Sequence, residues 1–314
     1  MPQNRVQFQK GLSLGEFLHQ YGTEARCREA LVRWRWPRGF LCPECGHRGH
    51  CVVGPRKLFQ CNRCHHQASL TSATIFAHTK LPLTTGFLAM DLLTGQKNGI
   101  SALELKRHLG VSYPSAWSLK HKLMQVMKER EDLRPLNGVI QLDDVYWGAR
   151  RRGGKSGRGS PNKVPFLAAV ATHHDGHPIA LRMSKLKGLR KSEISQWTLK
   201  HLHPDAIVVS DGLACFKAVA EAGREHYAIV TGGGPNSVTI PELTWVNTII
   251  GKVKNALTGT YHAIRGKHLP RTLAEFSYRF SRRFKLEEMI PPLGYAAVRT
   301  PPMPFRLLRL AEGH

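Results

Sequence analysis

The sequence predicts a multidomain α/β protein in which a cysteine-rich module and a helical segment precede a mixed-sheet domain. Three observations carry this. Two C-x-x-C pairs, "CPEC" and "CNRC", stand at 42–45 and 61–64. Hydrophobic periodicity is helical up to about residue 130 and turns strand-like from residue 137. The 314 residues are 41% hydrophobic, enough for a sizeable core and, by length, for about two to three domains.

Residues 1–36 read as a helical lead-in, with Leu14, Phe17, Leu18, Tyr21, Ala25, Ala30, Leu31 and Trp34 at loose helical spacing. Residues 37–80 read as a zinc ribbon. Each C-x-x-C makes a tight turn that points two thiolates at one ion, so Cys42, Cys45, Cys61 and Cys64 predict a closed tetrahedral Zn²⁺ site that folds the module and does no chemistry. A redox pair would want a βαβ setting, and disulfides an oxidising compartment. Cys27, Cys51 and Cys215 then read as small apolar residues, and His47, His50, His65 and His66 as solvent-facing or phosphate-contacting.

Residues 81–134 read as a helix-turn-helix: "TGFLAMDLLTGQ", "SALELKRHLG", the turn "LGVS", then "YPSAWSLKHKLMQVMKER". Pro114 suits a first helical turn, with Ser112 or Tyr113 near the cap. The second helix would present Ser115, Ser118, Lys120, His121 and Lys122 to the DNA major groove and pack Ala116, Trp117 and Leu123 inward. The alternative is a small helical packing domain with a solvated basic face.

Residues 135–290 carry strand candidates "GVIQLDDVYWG", "KVPFLAAVATHH" and "HPIALRMS", the helix "KSEISQWTLKHL", the strand "AIVVSDG", the helix "GLACFKAVAEAG" and a fifth strand "HYAIV". Three meandering strands, a helix and a buried fourth strand make a mixed sheet in ribonuclease H-like order, an analogy of element sequence. Two apolar strands end in carboxylates, at Asp143–Asp144 and at Asp211 before a glycine. If the strands are neighbours, the carboxylates meet, and a divalent Mg²⁺ or Mn²⁺ relieves their repulsion while activating a water or 3′-hydroxyl. Side chains alternate along a strand, so only one of Asp143 and Asp144 is expected at such a site. A strand-end aspartate taken alone is more often a turn former. A third ligand is expected from the helix "WVNTIIGKVKNAL", where Val246, Ile249, Ile250, Val253 and Leu257 form the apolar stripe and Asn247, Gly251 and Lys254 share the other face. Glu275 is the rival acid.

A formal charge of +24 favours a polyanionic partner, nucleic acid above all, and the helix-turn-helix reading makes that double-stranded DNA. Apolar runs such as "FLAAVA" fall far short of the roughly 20 residues a membrane span needs, and "MPQNRVQFQK" has no signal core, so the expectation is a cytoplasmic protein without a membrane partner. The loop "RRRGGKSGRGSPNK", with Arg150, Arg151, Arg152, Lys155 and Arg158, is expected to order on DNA, or else to be a solvated hairpin tip. In "LPRTLAEFSYRFSRRFKL", Leu273, Phe276 and Phe280 are expected buried and Arg279, Arg282 and Arg283 available to phosphate. "TGGGPNS" reads as a flexible loop, and residues 291–314 as a Pro-rich irregular tail.

The ordered set "CPEC…CNRC", "LDDVYWG", "VVSDG", "WVNTIIGKVK", "TGTYHAIRGKHL" and "EFSYRFSRR" resembles bacterial insertion-sequence transposases with an N-terminal zinc ribbon, a helix-turn-helix and a ribonuclease H-like DDE catalytic domain, over nearly the whole chain. The resemblance implies Asp143 and Asp211 as the first two acids and metal ligands, Asn247 in the third place, as in one branch of the family where most DDE enzymes have Glu, and Lys254 as a basic site residue. Ser281 stands where the family pattern has Asn. It further implies metal-dependent phosphodiester hydrolysis and strand transfer, homo-oligomeric assembly on DNA, and a nucleoid-associated location. A nuclease without strand transfer and a non-catalytic zinc-ribbon regulator are the alternatives.

Overall fold

The computed structural model describes residues 9–148, 160, 163–230, 240–261 and 264–311. The chain divides into two units, one holding the described residues of Met1–Val126 and Phe284–His314, the other those of Met127–Arg283.

In the first unit the lead-in is two helices, each started by a hydroxyl. Ser13 and Glu16 form a capping box on α1 (Leu14–Tyr21), and Thr23 caps α2 (Glu24–Arg35). A small antiparallel sheet follows in the order β1 (His50–Val53), β2 (Leu58–Cys61), β3 (Gln67–Ala68). The helix α3 (Leu83–Gly95) begins after Pro82, and the Glu24 carboxylate of α2 accepts the N–H groups of Leu83 at 3.1 Å and Thr84 at 2.8 Å. Ser101 caps α4 (Ala102–Leu109), which ends on Gly110 at φ +63°, a left-handed turn that glycine takes without strain. The Ser112 hydroxyl then accepts the Ser115 N–H at 3.3 Å to start α5 (Tyr113–Asp132).

The expected irregular tail is corrected here. Residues Ile290–Ala297 and Phe305–Leu310 are helices. The prolines start them rather than prevent them: Pro291 and Pro292 occupy the first turn, where a missing N–H costs nothing, and Pro304 precedes the second helix. Gly294 lets the first of these helices reach α2, because a Cβ at that position would overlap the Trp34 ring.

The second unit is a mixed sheet in the order β6-β5-β4-β7-β8, built from β4 (Val139–Trp147), β5 (Val164–Thr172), β6 (Pro178–Lys185), β7 (Ile207–Ser210) and β8 (Glu225–Ala228). β4 runs antiparallel to β5 and parallel to β7. On one face Ile140, Leu142 and Val208 pack against α6 (Lys191–His201) and α7 (Lys217–Glu221) through Ile194, Trp197 and Val219. On the other, Val145, Phe166 and Val170 pack against α8 (Thr244–Thr260) and α9 (Leu269–Arg282) through Val246, Ile249, Val253 and Leu273. The β6 edge is closed by α9, where the Ser281 hydroxyl accepts the Leu181 N–H at 3.1 Å.

Candidate metal centres

Both cysteine knuckles of the first unit have one geometry. The Cys42 N–H reaches the His47 carbonyl at 2.9 Å, and the Cys61 N–H reaches the His66 carbonyl at 3.0 Å. Four residues after the first cysteine of each pair, Gly46 at φ +69° and His65 at φ +58° turn the chain. The four sulfurs, of Cys42, Cys45, Cys61 and Cys64, lie within 4.8 Å of one another. Backbone N–H groups, that of Cys64 foremost and then that of Arg63, aim at the Cys61 sulfur and hold its pKa down to about 6. Four converging thiols suit a structural zinc. Cys27 and Cys215 are buried as expected, whereas Cys51 is exposed.

In the second unit the β4–β7 ladder ends at the pair Leu142↔Ser210, so Asp143 and Asp211 are the next residues on adjacent parallel strands. Alternation directs both toward the α8 face. Gln141 and Val145 flank Asp143 on that face, while the neighbours of Asp211 behave alike: Val208 packs on the α6 side and Val209 on the α8 side. Gly212, at φ +79°, turns the chain immediately after Asp211, whose Oδ1 accepts the Leu213 N–H at 3.1 Å.

The expectation that Asp144 would stay away from Asp143 and Asp211 is corrected. Carboxylate oxygens of all three lie within 4.8 Å of one another. Past Leu142 the ladder no longer covers that side of β4, so a short side chain from the opposite pleat can lean round the edge. The Asp143 Oδ1 also takes the Asp144 N–H at 2.7 Å.

Gln141 is a residue that sequence reasoning passed over. Its buried side-chain oxygen accepts the Val246 N–H at 2.9 Å, which ties the first turn of α8 to β4 two residues before Asp143. A polar residue on the inward period of a buried strand was the signal. Gln141→Leu leaves that donor unmet and should cost about 1–3 kcal/mol of stability in urea unfolding; an unchanged midpoint would show that the bond contributes nothing. The next residue, Asn247, is half-buried, and Gly251 and Lys254 are exposed further along the helix. No atom lies within 4 Å of a Cβ built at Gly251, so this helix face is open. Glu275 is elsewhere, 1% exposed, accepting from the Tyr261 hydroxyl at 3.4 Å and paired with Arg279 at 3.8 Å.

Of the residues expected to face DNA, Lys120, His121 and Arg279 are buried, which corrects their assignment, whereas Lys122, Arg282 and Arg283 are partly covered. Lys120 is 1% exposed and donates to the Ile100 carbonyl; His121, 8% exposed, stacks on Trp117. Lys120 falls in the buried stripe of α5 with Ala116, Leu119, Leu123 and Met127, spaced three or four residues apart. Lys122 is half-buried, which lowers its pKa. Arg279 pairs with Glu275; Arg282 pairs with Glu131 at 2.6 Å; Arg283 donates to the carbonyls of Phe280 and Pro178, and burial brings its pKa down to about 10. These guanidiniums hold α9 in place because buried carbonyls and carboxylates need donors more than solvent does. Arg150, Arg151, Arg152, Lys155 and Arg158 lie outside the described residues.

Among the described residues no helix is long and apolar enough to cross a membrane. No curated protein matches the chain. Residues 22–67 match the transposase zinc-ribbon domain, and all four clustered cysteines fall in that match. Residues 135–281 match the ISXO2-like transposase domain, from just before β4 to the end of α9, a span that contains Asp143, Asp211, Asn247 and Lys254. With a cluster of cysteines inside the first match and a carboxylate cluster inside the second, the two matches support an insertion-sequence transposase that carries an N-terminal zinc ribbon.

Proposed function

We propose that the chain binds the ends of its own element, hydrolyses a phosphodiester there to free a 3′-hydroxyl, and joins that hydroxyl to target DNA by direct in-line attack. The observation that carries this reading is the convergence of Asp143 and Asp211 just past the last pair of the β4–β7 ladder, on the face where α8 begins. The strand order, three antiparallel strands extended by two parallel ones, supports a ribonuclease H-like catalytic domain.

An oxygen-only donor set of this span fits a hard divalent cation, Mg²⁺ or Mn²⁺. Asp143 and Asp211 would hold it, with the Asn247 amide oxygen in reserve on α8; when bound, it supplies Lewis acidity and an activated oxygen nucleophile. Lys254, two turns along the open helix face, is suited to hold a DNA phosphate beside the reacting bond. The helices α4 and α5 remain the candidate for end recognition, with Ser115, Ser118 and Lys122 as the contacts still partly accessible. Homo-oligomeric assembly on DNA belongs to the same reading.

The test is the purified chain on DNA bearing the element's ends, with and without Mg²⁺ or Mn²⁺. Divalent-dependent nicks and joined products are expected. Nicks without joined products would leave a nuclease; binding without nicks would leave a regulator.

A further inference from the structure

At the β6 edge of the second unit a cavity of about 260 Å³ opens between the end of α5, β6, α6 and α9. β6 lies two strands from β4, roughly 10 Å across the sheet from the aspartates at strand spacing. Lys128, Lys185 and Lys200 stand around the cavity, and Arg182, Trp197 and Ser277 lie deeper in its wall.

The acids of this cavity are already neutralised. Glu131 is held by Arg282 at 2.6 Å, and Asp132 by Lys128 at 2.7 Å and Arg182 at 3.5 Å. Lys185 and Lys200 are exposed and make no ion pair among the described residues. Burial foremost, and then Arg182, hold the pKa of His201 down to about 3, so its neutral ring accepts an Arg182 N–H at 3.2 Å and adds no charge. Three buried donors of the wall, Arg182 Nε, Trp197 Nε1 and Ser277 Oγ, have no hydrogen-bond partner among the described residues. Arginine Nε–H and tryptophan Nε1–H can only donate. A cavity with the unpaired cations Lys185 and Lys200 at its rim and unmet donors buried in the side chains of its wall is short of acceptors and of negative charge.

We propose that this cavity holds a phosphate oxyanion, specifically a phosphodiester of DNA outside the reacting bond, with Lys185 and Lys200 at the mouth. The DNA source rests on the transposase reading above; the oxyanion chemistry does not.

The test uses the full chain with ¹⁵N-labelled tryptophan, the Trp197 indole resonance being assigned by Trp197→Phe. Inorganic phosphate should shift that resonance saturably, and the Lys185→Ala/Lys200→Ala double variant, altered only at exposed positions, should need at least about tenfold more phosphate. The double variant should also flatten the salt dependence of DNA binding by about one to two units of slope, since each lost phosphate contact removes roughly 0.9. A resonance that responds to phosphate no more than to chloride overturns the site. A phosphate response with an unchanged DNA salt slope overturns the DNA assignment. Neither readout needs cleavage, so a chain that binds phosphate here but never nicks DNA counts against the proposed chemistry and not against the cavity.

Discussion

Asp143→Asn and Asp211→Asn are each expected to abolish divalent-dependent nicking and joining, a loss of at least ~10³-fold if they behave as other essential groups do, with DNA binding retained. Each substitution removes one charge from the pair that the adjacent strands β4 and β7 bring together, and an amide holds Mg²⁺ less well than a carboxylate. Asn247→Ala should cost less, because a neutral ligand contributes less to metal affinity. Asp144→Asn is the informative comparison. Its carboxylate lies within 4.8 Å of the others, but it leaves the opposite pleat of β4 from Asp143 and Asp211. A dispensable Asp144 supports the α8 face as the reaction face; an inactive Asp144→Asn alongside an active Asp143→Asn would reverse the assignment. An active Asn247→Ala with an inactive Glu242→Ala or Glu275→Ala would move the third ligand off α8.

The second large effect concerns zinc. Purified protein should hold about one zinc per chain, and chelation or Cys61→Ser should unfold the ribbon while the sheet of the second unit stays folded, read by hydrogen exchange on each segment. The ribbon's strands are only two to four residues long, and their buried apolar residues are few, Phe59 and Ala68 among them. So small a core does not hold itself together. Structural zinc supplies about 10–16 kcal/mol in comparable modules, far more than the module could lose and survive. A reduced, folded preparation free of zinc would sink the assignment.

The α5 face and the arginines of α9 show where one-dimensional reasoning stops. Basic residues in helical patterns suggested DNA contacts, yet Lys120 shares the stripe of Ala116 and Leu123, and Arg282 and Arg283 meet acceptors far away in sequence. Which face of a helix is covered depends on what packs against it, and long side chains bury their stems readily. The prolines at 291 and 292 misled in the other direction: they are helix starters or breakers according to whether an N–H was needed there, which depends on the helix around them.

By itself the sequence determined what local chemistry dictates. The spacing of Cys42, Cys45, Cys61 and Cys64 is enough to close a four-sulfur cluster, because each knuckle is a turn made by its own neighbours. Periodicity is enough to place β4, β7 and the buried stripe of α8, because burial follows period 2 in a strand and 3.6 in a helix. It also put Asp211 just past the end of its strand; Asp143, read as a strand end, lies in the middle of β4, which runs on to Trp147 beside β5. Only the tertiary structure decided that the two aspartates are side by side, since a parallel register is set by packing across some seventy residues of intervening chain, here Leu142 against Ser210. It alone drew Asp144 into the cluster, set Gln141 under the first turn of α8, and gathered Lys185, Lys200, Arg182, Trp197 and Ser277 around one cavity. Contacts of that kind join residues with no common period, and no local rule encodes them.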